Sequence, residues 1–158
     1  MRRIDALLGE GLVFRGMSPE ALELLSGCGS NVRFSDGEAL LREGDEANVF
    51  YVIRHGRVSL EAFDPARGAI TIETIGDGEV LGWSWLFPPY RWHLDARANG
   101  LVRATKFDAA CLREKCADDP AFGYDLMSRF AQVLIERLQS TRFRLLDVYG
   151  PGNGNRAR

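Results

Sequence analysis

The chain has 158 residues, 46% of them hydrophobic and 27% charged, with a formal charge of -2. That suits one soluble globular domain with a real core, and the charge balance excludes an overall electrostatic footprint for nucleic acid. No run approaches the roughly 18 to 20 apolar residues of a membrane span.

Met1-Arg2-Arg3 resembles the start of a signal peptide. Asp5, Gly9 and Glu10 then break the apolar run that should follow, so a cytoplasmic protein is expected. Ile4, Leu7 and Leu8 predict a short helical face. Ser18-Pro19-Glu20 supplies an N-cap, a first-turn proline and an acidic residue, and opens a helix to about Leu25 that Gly27 and Gly29 end.

From Asn31 to about Lys106 the pattern changes to short strands punctuated by glycine. Val49 to Ile53 reads as a buried strand. His55-Gly56 is predicted to turn tightly into the alternating run Val58 to Phe63, and Asp64 to Gly68 to turn into Ile70–Ile75. Two further strands are expected, His93–Ala98 and Val102–Phe107. The glycine cadence is that of an antiparallel sandwich or barrel.

After Phe107 the strands stop. Asp108 can cap a helix to about Ala117, and Asp119-Pro120 opens a long one to about Val148. Phe122, Leu126, Phe130, Val133 and Leu134 form its core stripe. Leu134, Leu138, Thr141, Leu145 and Val148 carry the stripe past the roll, which points to a homodimer built on this helix. Glu136, Arg137, Arg142 and Arg144 occupy its other faces. The expected fold class is α+β, an antiparallel β-roll of jelly-roll type. One domain spans 1–149, with N-terminal helices over 1–30, the roll over 31–107 and C-terminal helices over 108–149. Residues 150–158 read as a flexible tail.

Cys28, Cys111 and Cys116 lack paired metal spacing, and the last two lie about 140° apart around a helix. They read as buried thiols in a reducing cytosol, and zinc is not expected. No nucleophile elbow, phosphate-cradling glycine loop, Ser-His-Asp set or metal cluster is visible, so no enzyme is expected.

All three tryptophans fall between Gly82 and Trp92, beside Pro88-Pro89 and Arg91. A stiff aromatic insert in a strand run can build a ligand lip. Arg91 either binds an anion through its forked donors or stacks and pairs structurally. Trp83, Trp85 and Trp92 either wall a ligand or fill its space. Ser84 can cap a helix there or touch the anion.

The segments Phe34 to Asp45, Phe50 to Val58 and Gly76 to Gly82 resemble the first strand pair, the following hairpin and the approach to the phosphate-binding cassette of cyclic-nucleotide-binding domains. The resemblance, to catabolite-activator-like regulators in particular, covers Met17 to Tyr149. It implies a regulatory domain that binds cyclic AMP or cyclic GMP around Gly82, Ser84 and Arg91 and signals through the C-terminal helix. Three features depart from the family. Trp83 stands where a ribose-binding glutamate is expected, and an indole only donates. Trp92 and His93 follow Arg91 where small residues are usual. No winged helix-turn-helix sequence follows Tyr149, so this chain is not expected to bind DNA. A small anionic ligand remains one reading; the other is a pocket filled by tryptophans, in a module that works through an unknown protein partner or by dimerisation.

Overall fold

The computed structural model describes residues 12–149. The helical face of Ile4, Leu7 and Leu8 and the tail after Tyr149 lie outside those residues. Helix α1 (Pro19–Ser26) starts as expected: the Ser18 hydroxyl accepts from the Ala21 amide at 3.2 Å, and proline opens the first turn. Six strands follow: β1 (Gly29–Phe34), β2 (Ala39–Leu41), β3 (Val49–Asp64), β4 (Gly68–Ile75), β5 (Val80–Leu81) and β6 (Asp95–Asp108). They form one antiparallel sheet in the order β1-β6-β3-β4, with β2 also on β6 and β5 on β3. Helices α2 (Ala109–Asp118) and α3 (Pro120–Tyr149) complete an α+β roll.

Three strand expectations need correction. His55-Gly56 is not a turn, because β3 runs straight through it and stays paired with β6 from Val49↔Asp108 to Glu61↔Asp95. The register slips on either side of His55, so the dipeptide is a bulge that bends the strand without reversing it. Gly56 has φ +110°, and a Cβ there would sit 2.4 Å from the Leu101 carbonyl oxygen. The strands expected on either side of Asn99-Gly100 are likewise one strand, β6, bent at Gly100 with φ +82°. Finally, β1 and β2 do not pair with each other; both lie antiparallel on β6, one after the other.

Phe50, near the start of β3, organises the core. Its ring stacks on Trp85 at 5.0 Å and on Phe107 at 4.7 Å, and meets Phe130 edge-on at 5.0 Å. The rings it gathers come from β6, α3 and the segment after β5, so one apolar cluster ties helix to roll. Asp108 caps α2 by accepting from the Cys111 amide at 2.8 Å, and Asp119 caps α3 by accepting from Phe122 at 3.1 Å. The first half of α3 buries Phe122, Leu126 and Phe130; every side chain from Leu138 to Val148 is exposed. No described helix is long and apolar enough to cross a membrane.

The cysteine reading is also corrected. Cys28, at the head of β1, is disulfide-bonded to Cys111 in the first turn of α2, with Cα atoms 5.7 Å apart. Only Cys116 is a thiol, half-buried, and burial together with the Asp119 carboxylate holds its pKa above the usual range. The spacing of Cys111 and Cys116 was uninformative because the partner lies 83 residues away. Cys111→Ser is expected to lower unfolding stability by about 2–4 kcal/mol. Denaturant melts measure this, and thiol titration of the unfolded, unreduced wild type should find a single free thiol.

Candidate functional site

The site is built where β5 ends. Gly82 has φ +97°, and a Cβ there would meet the Trp92 ring at 2.8 Å, so this glycine lets an indole lie against the chain. Trp92 is 6% exposed and part of the core. Its backbone is zipped to the 44–47 turn: Gly44 N donates to Trp92 O at 2.9 Å, and Trp92 N donates to Asp45 O at 3.1 Å. The segment between is shorter than expected of a cassette. A single 3-10 turn, Ser84–Leu86, takes the place of a helix, with Trp83 in the N-cap position and no side-chain cap. Ser84 is therefore a turn residue and caps nothing, and no helical N-terminus is presented to an anion.

The tryptophans have three separate roles. Trp85 is fully buried, packed between Phe50 and Phe130, and its carbonyl accepts from Arg113 at 2.8 Å. It is core and is not among the residues lining the cavity beside Trp83 and Trp92. Trp92 fills space against Gly82. Trp83 is half-buried and lies beneath a guanidinium, that of Arg137 on α3, 4.9 Å from its ring centroid.

Arg91 stands apart from these residues. It bridges Glu46 through the backbone, donates to Gly44 O at 3.3 Å and lies 4.0 Å from the Glu46 carboxylate, half-exposed on the outer face of the turn. The structure thus brings Gly82, Trp83, Ser84 and Trp92 together and leaves Trp85 and Arg91 outside. Arg97 is a structural pair, 3.6 Å from Glu61 and donating to Gly37 O. Glu79 closes its own turn by accepting from Gly76 N.

Arg137 is the residue that sequence reasoning missed. One of its terminal nitrogens, Nη2, donates to the Val80 carbonyl. The other, Nη1, is buried with no hydrogen-bond partner among the described residues. Desolvation lowers its pKa, while Glu73 and Glu79 pull the other way. The missed signal was periodicity: residue 137 lies seven after Phe130 and three after Leu134, on the core-facing stripe. Arg144, seven further on, donates to the Ile72 carbonyl at 2.6 Å and approaches Glu73 at 4.0 Å. Two arginines on one face of α3 therefore hold the helix to β4 and β5.

Between these groups lies a cavity of about 60 Å³ lined by Leu41, Leu60, Leu81, Leu94, Gly82, Trp83, Ser84, Trp92, His93 and Arg137. No carboxylate lines it. Ligand pockets for drug-sized molecules measure roughly 300–1,000 Å³, and this cavity, with Trp83 and Trp92 in its wall, is well below that size.

The cyclic nucleotide-binding domain family model matches residues 31–119. The chain belongs to that family. It is 27% identical over 145 residues to the CRP-like cAMP-activated global transcriptional regulator of Mycobacterium tuberculosis, covering 92% of this chain and 63% of that relative. A cyclic nucleotide-binding domain from Methylobacillus flagellatus superposes with a TM-score of 0.79 at 21% identity, over 92% of this chain and 82% of the other. The N-terminal domain of a transcriptional regulator from Streptomyces coelicolor gives 0.67 at 23% identity, over 92% and 99%. At those identities the two structures speak for the fold. The family is a regulatory one.

Replacing Arg137 by Met removes a buried unpartnered donor along with its bonds, so the two effects offset. Stability is expected to change by no more than about 1 kcal/mol. Tryptophan emission, in contrast, should shift as Trp83 loses the cation above it, and a fluorescence spectrum of the folded variant checks this.

Proposed function

We propose that this chain is a ligand-sensing regulatory module in which a small anionic ligand enters the cavity between Trp83, Trp92 and Arg137 and acts on α3 through Arg137. The observation that carries this is Arg137, which lines the cavity from the helix that leaves the roll and whose buried Nη1 has no hydrogen-bond partner among the described residues. A buried donor without a partner costs free energy that an incoming acceptor recovers. Arg91 is assigned to holding the 44–47 turn, since its partners are Gly44 and Glu46. Cyclic AMP or cyclic GMP would have to displace Trp92 from Gly82, and would find no carboxylate for its ribose. Neither is proposed as the ordinary ligand.

The output surface is the far half of α3. Leu138 and Leu145 are 51% and 53% exposed, beside Ile135 and Leu146, and such a stripe suits a second copy of the helix better than water. Thr141 spends its hydroxyl on the Arg137 carbonyl, which keeps a polar group out of that seam. Regulation rather than catalysis fits the family. A cytoplasmic location belongs to the same proposal, although the Cys28–Cys111 bond is a chemistry of oxidising compartments.

A second reading is favoured by Trp92 itself. Its indole already occupies the space beside Gly82, and a permanently closed pocket would leave a dimerisation or partner-binding module. Titration of the full chain with small carboxylates, phosphate, cyclic AMP and cyclic GMP separates the two readings. Ligand sensing predicts a saturable change in tryptophan emission with a rise in thermal midpoint, about 2.7 kcal/mol of stabilisation at a hundredfold excess over Kd, and a shifted sedimentation coefficient. Flat responses to every compound favour the closed module.

A further inference from the structure

Helix α2 is held on several sides, and on one of them by a covalent bond. Cys111, in its first turn, is bonded to Cys28, just beyond the end of α1. Two residues on, Arg113 donates to the Trp85 carbonyl at 2.8 Å and lies 4.8 Å from the Tyr90 ring centroid. Lys115 donates to the Leu24 carbonyl of α1 at 3.0 Å. Cys116 packs on Gly123 of α3, where an added Cβ would sit 3.1 Å away. One short helix therefore connects the disulfide to the tryptophan segment. Its start has non-covalent support besides the bond. Asp108 caps the first turn, Ala109 N donates to Asn48 O at 3.0 Å, and Asp108 N donates to Cys28 O at 2.9 Å. Ala109 and Leu112 are fully buried. In a reducing compartment, disulfides are transient catalytic or sensing bonds rather than permanent staples.

We propose that Cys28–Cys111 is a redox switch, opened in the folded protein by a dithiol reductant and transmitted through α2 and Arg113 to the tryptophan segment. Its use in the cell rests on the cytoplasmic reading above. Cys111 is half-buried and Cys28 is 8% exposed, so the reductant's thiolate attacks the Cys111 sulfur. A mixed disulfide forms with Cys111, the Cys28–Cys111 bond breaks, and Cys28 leaves as a thiolate that takes a proton. The reductant's second thiol then displaces Cys111. The products are two cysteine thiols and one oxidised dithiol, a transfer of two electrons and two protons. Cys116 takes no part. It packs on α3, about 140° around the helix from Cys111, and burial with the Asp119 carboxylate keeps its thiol protonated. In the reduced state the cap, the backbone bonds and the buried Ala109 and Leu112 keep α2 docked. Its first turn loosens, and with it the hold of Arg113 on Trp85.

The test incubates the full chain with dithiothreitol in the absence of denaturant. Samples are quenched in acid, freed of reductant, unfolded and labelled with N-ethylmaleimide, and intact mass counts the labels. The switch predicts a rise from one label to three while circular dichroism stays unchanged. Amide exchange is then compared between the oxidised and reduced protein by NMR. The Leu86 and Tyr90 amides, which donate to Trp83 O and Phe87 O, should exchange roughly tenfold faster after reduction, about the worth of a hydrogen bond to a charged group. Leu126 and Phe130 should keep their protection. Oxidised glutathione should restore both the bond and the slow exchange. Arg113→Met should leave the bond reducible and make the two states exchange alike at Leu86 and Tyr90. A bond that resists dithiothreitol until the chain unfolds, or whose reduction unfolds it, is a structural staple and overturns the proposal. Reduction with unchanged exchange at Leu86 and Tyr90 overturns it too, and a redox difference that survives Arg113→Met overturns the route through α2. Opening by dithiothreitol but not by a large excess of reduced glutathione overturns a switch that works in a cytoplasmic protein. The ligand-sensing reading rests on other residues and stands or falls separately.

Discussion

The guanidinium of Arg137 is the constraint on which the rest of the site depends. It reaches from α3 to the Val80 carbonyl in β5, lies over the Trp83 ring and keeps Nη1 buried without a hydrogen-bond partner among the described residues. Those positions belong to three parts of the molecule: the long helix, the roll and the altered cassette. A single side chain therefore ties the long helix to the roll beside the tryptophan segment. Desolvation makes the arrangement costly for a cation, and this is why an unsatisfied nitrogen there carries functional meaning.

The tryptophan segment shows how a family site can be rebuilt without changing the fold. Gly82 keeps its positive φ, yet the room it provides is taken by the Trp92 indole. Trp85 turns inward and becomes part of the Phe50 cluster, locking the segment to β3 and α3. Arg113 of α2 holds the outer side, donating to the Trp85 carbonyl and covering Tyr90 at 4.8 Å. The segment borders a small, mainly apolar cavity with one arginine in its wall.

Much of the fold was legible because local chemistry and tertiary demand agreed. Ser18, Asp108 and Asp119 each cap the helix that their side chains suggested, and Phe122, Leu126 and Phe130 bury the face that their spacing defined. The failures have physical causes. A His-Gly pair between apolar runs serves a bulge as well as a turn, and only the unbroken pairing of β3 with β6 distinguishes them. The Cys28–Cys111 bond depends on a contact between chain-distant elements. In the site, Gly82, Trp83, Ser84 and Trp92 were legible as a group. Arg91 drew attention by sitting beside them in sequence, but its side chain turns outward to Glu46. Arg137 was placed on another face of the helix, although its spacing from Phe130 puts it on the core stripe. A long arginine can snorkel along apolar surface and still deliver its head to a buried site.

Backbone hydrogen exchange on Arg137→Met beside the wild type, read segment by segment along α3, tests the coupling most directly. If Arg137 fastens the helix to the roll, residues 138 to 148 lose protection in the variant while Phe122 to Phe130 keep theirs. Identical exchange over 138 to 148 in both proteins would contradict the account, since the cavity would then have no mechanical connection to the helix.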